Sequence, residues 1–171
     1  MAKAKPSTPQ DILLGYGIVS VGEQPIGLTR GGSSFSVERE VRPIEADGDK
    51  GPVKGRIVID TETAKLTVNA LETFTQSEVT KYFSGTELTA NVLTSKLSFN
   101  EADYVDVKWE GKTLGGKAIV IEVKNAINMG NIELTLEDKN EVVPALEFTG
   151  TYDEADRETS TWKITFPTAG E

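Results

Sequence analysis

The chain has 171 residues and a formal charge of -9, from 27 acidic and 18 basic side chains, enough for one domain that buries roughly 70% of its unfolded surface. It has neither cysteine nor histidine, which excludes thiol nucleophiles, disulfides, Cys/His zinc clusters, Ser/His/Asp triads and imidazole acid–base chemistry. The acidic balance argues against a groove that grips nucleic acid by phosphate neutralisation, and the longest apolar stretches, such as Ile119 to Ile121, fall far short of the roughly 20 residues a membrane helix needs.

In chain order, Met1 to Gln10 carries Lys3, Lys5, Pro6 and Pro9 without an apolar run, so it reads as a flexible arm and not as a signal peptide. Residues 11–166 are expected to form one domain, followed by a tail from Pro167 to Glu171. Val, Ile and Thr supply 45 of the 171 residues, a β-branched load that favours pleated, half-buried surfaces; the expected fold class is mainly β (α+β). Ile12 to Val21 reads as a buried strand in which Gly15 and Gly17 mark a bulge or a close backbone approach. Further strands are expected at Ser34 to Val41, Val53 to Asp60 and Ala64 to Leu71. Pro43, Gly48, Gly51, Pro52 and Gly55 make the stretch between the first two a turn-rich connection. Thr75 and Glu78 have capping-box spacing and Gly85 can end a helix, which predicts one short helix over Gln76 to Phe83 with Val79, Tyr82 and Phe83 on its apolar face.

Alternation predicts a strand at Tyr104 to Trp109 and a hairpin of Lys117 to Lys124 with Asn131 to Asp138, turning through Asn128 and Gly130. Its apolar face would carry Ile119, Ile121, Ile132, Leu134 and Leu136 into the core, and Leu134→Ala would then cost roughly 2–5 kcal/mol. Leu146 with Phe148, and Trp162 with Ile164 and Phe166, mark two last strands. Trp109 and Trp162 alternate in phase with Val and Ile, which makes the core the address of both.

Charge is uneven. Gly130 to Glu171 holds ten acids and three bases, and Glu133, Glu137 and Glu147 alternate with apolar residues, so one sheet face should bear an acidic stripe. No catalytic or metal motif emerges. Glu45, Asp47 and Asp49 begin like a calcium loop, but Lys50 and Arg56 stand where Gly and Glu are required. Gly111-Lys112-Thr113 ends like a phosphate loop, yet Asp106 replaces the leading Gly. Gly15, Gly17 and Ser20 fall short of a dinucleotide fingerprint. Nothing in the spacing of the carboxylates selects a catalytic pair. No catalytic residue, metal ligand or cofactor is assigned.

Three stretches carry a family likeness: Gly15-Tyr16-Gly17-Ile18-Val19 through Ile26-Gly27-Leu28-Thr29-Arg30-Gly31-Gly32; Glu38 to Asp60, with Ile44-Glu45-Ala46-Asp47-Gly48 and Gly51-Pro52-Val53-Lys54-Gly55-Arg56; and Phe148-Thr149-Gly150-Thr151-Tyr152 with Trp162-Lys163-Ile164-Thr165-Phe166. In these the chain resembles the major tail tube proteins of long-tailed, non-contractile bacteriophages. The resemblance implies a β sandwich with one short flanking helix, hexameric rings stacked into a tube, and an inner wall formed as an intermolecular β-barrel through which DNA passes without specific binding. It also implies assembly in the host cytoplasm, residence in the virion tail, and partners comprising other copies, a tape measure protein, a tail terminator and distal tail or baseplate proteins. Pro43 to Gly55 matches the family's inter-ring loop, whose charged residues here are Glu45, Asp47, Asp49, Lys50, Lys54 and Arg56. Glu122, Glu133 and Glu137, opposite the apolar face of the expected hairpin, are the acids assigned to the lumen, where they would repel phosphate. Alternatives are the tube protein of a contractile tail or secretion system, and a carbohydrate-binding β sandwich.

Overall fold

Most of the predicted alternation becomes antiparallel pairing in the computed structural model, which describes residues 8–74 and 77–168. The elements are β1 (Leu13–Val21), β2 (Gln24–Pro25), β3 (Thr29–Pro43), β4 (Ile57–Ala70), α1 (Val79–Tyr82), β5 (Thr86–Thr89), β6 (Val92–Ser95), β7 (Val105–Thr113), β8 (Ala118–Asn128), β9 (Ala145–Thr149) and β10 (Trp162–Thr165). Eight strands make one antiparallel sheet in the order β2-β1-β7-β8-β9-β4-β3, with β10 also on β8, while β5 and β6 form a separate hairpin. The protein is mainly β with one short helix.

The long strand β8 changes partners along its length. Val120 to Val123 lie between β7 and β10, whereas Ile127 and Asn128 pair with Thr149 and Phe148 of β9. The sheet therefore folds over at β8, in a manner consistent with a β sandwich. Val19, Val21, Val107, Trp109 and Val123 from one half pack with Ala64, Leu66, Val68, Leu146 and Phe148 from the other in a single core cluster. Helix α1 is one turn long, and Val79, Tyr82 and Phe83 are buried as its predicted apolar face. Of the expected capping pair, Thr75 lies outside the described residues, as does Gln76.

Gly17 explains itself by packing. A Cβ there would come within 2.6 Å of the Trp109 ring, and the β1–β7 register slips between Leu13 and Gly17, so bulge and close approach are both present. Trp109 is buried as expected, but Trp162 is only half-buried: its ring stacks at a tilt on Phe35, 5.8 Å between centroids, and its Nε1 donates to Glu62 at 2.7 Å. The β5–β6 hairpin was not legible, because its two-residue turn places Ala90 and Asn91 at positive φ without the glycine that usually announces such a turn.

The hairpin expected from Asn131 to Asp138 does not form. Every residue of that segment is exposed and none belongs to a strand. Phe148 of β9 occupies the place opposite Asn128. The Asn128 side chain donates to the Tyr82 carbonyl at 2.7 Å and accepts from the Gly130 N–H at 3.0 Å, which turns the chain out of the sheet. Ile119 is buried and Ile121 packs against the core, but Ile132, Leu134 and Leu136 are exposed. Leu134→Ala should accordingly change the stability of the isolated subunit by no more than about 0.5 kcal/mol in urea denaturation, against about 2–5 kcal/mol for the fully buried Leu146→Ala.

Residues 1–7 and 169–171 lie outside the described residues. Gln10 does not belong to a free arm, since its carbonyl accepts from the Gly115 N–H at 2.9 Å in the β7–β8 turn.

Candidate assembly surfaces

Strands β3 and β4 pair from Thr29 and Ala70 out to Pro43 and Ile57, but β9 flanks only Lys65 to Asn69 of β4. The remainder of the hairpin has no third strand and projects as a two-stranded arm. Val53 to Asp60 and Ala64 to Leu71 are expected as two strands, but Ile57 to Ala70 form one strand paired with β3, with register shifts at Glu40/Val41 and Thr29/Ser33, while Val53 to Arg56 belong to the tip. At the base of the arm Arg39 Nε donates to Glu62 at 2.6 Å, and Glu62 also receives the Trp162 indole N–H. The Trp162 bond first, and then the Arg39 bond, hold the Glu62 carboxyl below its ordinary pKa. Farther out Arg42 binds Asp60 through two nitrogens at 3.0 and 3.2 Å, the fork geometry that fixes a planar pair.

Beyond these braces, Val41 stands opposite Ile59 and Pro43 opposite Ile57 on one face of the arm. Val41, Ile57 and Ile59 are 60%, 55% and 54% exposed, and Ile44 at the tip is also exposed. A β-branched face of this kind suits burial against another surface.

The tip, residues 44–56, contains all six residues assigned to the inter-ring loop. They do not act alike. Asp49 accepts from the Ala46 N–H at 2.7 Å and from Arg56 Nη2 at 2.6 Å, and the Ile44 N–H donates to the Arg56 carbonyl at 2.7 Å. Asp49 and Arg56 thus close the loop internally. Glu45, Asp47, Lys50 and Lys54 are exposed and make no ion pair within the described residues, leaving two charges of each sign for an external contact.

The acidic stripe is not where alternation put it. Glu133 and Glu137 lie on the exposed, strandless segment, and Glu137 accepts from Asn140 Nδ2 at 3.0 Å. Glu122 is 4% exposed. It accepts from Lys124 Nζ at 2.6 Å and Lys163 Nζ at 2.8 Å, and Lys124 also reaches Asp106 at 2.9 Å. Burial would raise the Glu122 pKa, but the two lysine bonds outweigh it and the pKa is lowered. Glu122 is therefore a neutralised carboxylate and shares no strand face with Glu133 and Glu137. The sequence contained no signal for this cage, because Lys163 is 41 positions away and is brought opposite Glu122 only by the β8–β10 pairing.

A different face carries unburied hydroxyls and carboxylates. Ser34, Ser36, Glu38 and Glu40 of β3 stand opposite Thr67, Lys65, Thr63 and Thr61 of β4, with Glu147 of β9 opposite Thr67. Phe35, Val37, Leu66 and Ala64 alternate with them toward the core. Lys65 lies between Glu38 at 3.7 Å and Glu147 at 3.8 Å, one cation among three acids. Among the described residues no group of three or more Asp or Glu side chains is placed to hold a metal ion, and no helix is long and apolar enough to cross a membrane. No protein-family model matches the chain, and no curated protein matches it.

Proposed function

We propose that this chain is a structural subunit that polymerises as stacked hexameric rings into a phage tail tube, the conduit for genome delivery. The observation that carries the reading is the β3–β4 arm, a braced hairpin with exposed Val41, Ile57 and Ile59 that the subunit itself leaves uncovered. Projecting strands and free edges are a liability in a monomer and an asset in a closed ring, where neighbouring copies cover them. The hydroxyl-rich, weakly acidic face of β3, β4 and β9 supports a lumen that lets DNA slide: Glu38, Glu40 and Glu147 offer phosphate no counterion-release gain. This face takes the place of the Glu122, Glu133 and Glu137 stripe in the proposal. The tape measure, terminator and distal tail proteins are the partners the reading implies.

Negative-stain microscopy of the concentrated protein tests it. Hollow tubes of stacked rings are expected. Replacing residues 44–55 by a tight turn should leave a folded subunit, since loop closure changes slowly with length, yet abolish tubes. A wild-type protein that stays monomeric would overturn the reading, and normal tubes from the shortened variant would remove the tip from the interface. The carbohydrate-binding reading rests on one observation, a groove of about 470 Å³ flanked by Tyr104, Tyr152, Asn125 and Asp153; a glycan array with a monomeric protein would favour it.

A further inference from the structure

The flank where β1 and β3 run is open. Both lie toward the ends of the strand order, β3 has no outer partner, and β2 covers β1 only at Ser20 and Val21. Between them lies a cleft of about 310 Å³ lined by Leu13, Leu14, Phe35, Leu66, Trp109 and Ile121. Leu66 and Trp109 belong to the buried core, so the cleft is a gap in the hydrophobic layer flanked by strand edges whose backbone groups are free to pair.

An occupant must be a strand with aliphatic side chains at every second position: one face enters the cleft while the backbone pairs with an edge. Among the described residues the chain offers such a segment outside any strand. Asn131 to Asp138 places Ile132, Leu134 and Leu136 in alternation with Glu133, Thr135 and Glu137, all exposed and without a strand partner. In its own subunit it lies outside the cleft. Residues 1–7 and 169–171 offer no such alternation, since Met1 is their one bulky apolar side chain. With Ile132, Leu134 and Leu136 turned inward, Glu133 and Glu137 would face outward, on the side where β7 presents Asp106, Lys108, Glu110 and Lys112, two acids and two bases.

We propose that residues 131–138 of one copy insert as a strand into the β1–β3 cleft of a second copy, completing its hydrophobic layer and becoming a strand only on assembly. The proposal rests on the self-assembly reading above and names its contact. Absence of native cysteine makes a clean test possible. Gly15→Cys borders the cleft, where an added Cβ meets nothing within 4 Å, and Leu134→Cys lies on the exposed segment. Mixing the two single variants under assembly conditions with a mild oxidant should give a disulfide-linked pair joining positions 15 and 134, identified by peptide mass. Excess synthetic peptide of residues 130–139 should suppress it. The same peptide with Asp at positions 132, 134 and 136 should not. Tubes without this cross-link would overturn strand insertion and leave the tube reading standing, whereas the cross-link in small oligomers without tubes would uphold insertion and overturn the tube. A cross-link confined within single chains of the Gly15→Cys/Leu134→Cys double variant, or no tubes and no cross-link, would overturn the insertion.

Discussion

Phe148→Ala is expected to destabilise the isolated subunit by about 3–5 kcal/mol. Phe148 is fully buried and stands opposite Leu66 of β4 and Asn128 of β8. It fills the seam where the sheet folds over, so its removal leaves a cavity that neither half can close without breaking ladder hydrogen bonds. Urea denaturation of unassembled protein should show a lower midpoint at an unchanged slope. A loss under about 1 kcal/mol would mean that the two halves do not pack through this residue.

Asp103→Ala is expected to cost about 3–5 kcal/mol, because it breaks a buried ion pair from one side. Asp103, only 3% exposed, accepts from the Asn100 N–H at 2.7 Å, from Lys96 Nζ at 2.9 and 3.0 Å and from the Gly85 N–H at 3.4 Å. It thereby ties both ends of the β5–β6 hairpin to the start of β7. Burial would raise its pKa, but the bonds from Asn100, Lys96 and Gly85 outweigh this and lower it. A carboxylate with a lowered folded-state pKa contributes stability that is complete above its unfolded pKa of about 3.9 and is lost as pH falls through the folded value. The stability gap between wild type and Asp103→Asn should therefore be widest near neutrality and close on acidification below about pH 4. Asp106, Glu62 and Glu122 are shifted in the same direction, so the wild type also weakens in that window and the difference between the two proteins is the quantity to read. A gap that stays constant from neutral to strongly acid pH would show that the Asp103 charge contributes nothing.

The predicted strands that formed were those whose alternation met a partner. Leu146 and Phe148 read as inward-facing and are fully buried; Ile119, Ile121 and Val123 likewise turn toward the core. The turn-rich tip was legible for a local reason, since Gly48 and Gly55 adopt φ near +88° and +86°, a conformation that glycine enters without steric cost. Asn131 to Asp138 alternates as cleanly as β8 and yet is no strand in the subunit. Period-two hydrophobicity is a statement about one chain segment, whereas a strand is a pairing of two, and β9 had already taken the place beside the end of β8.

The sequence by itself determined the β class, the short apolar helix, the tip between β3 and β4 and the lack of thiol and imidazole chemistry, all consequences of composition or of residues within a few positions of one another. Only the tertiary structure decided which charges meet. Lys163 reaches Glu122 across 41 positions and Trp162 reaches Glu62 across 100, and no local pattern records either contact. It also decided which apolar residues stay uncovered. Val41, Ile57 and Ile59 have the character of core residues, but the arm carries them past the last strand that could bury them. Burial depends on where the neighbouring layer ends, a property of the whole fold that a segment cannot encode alone.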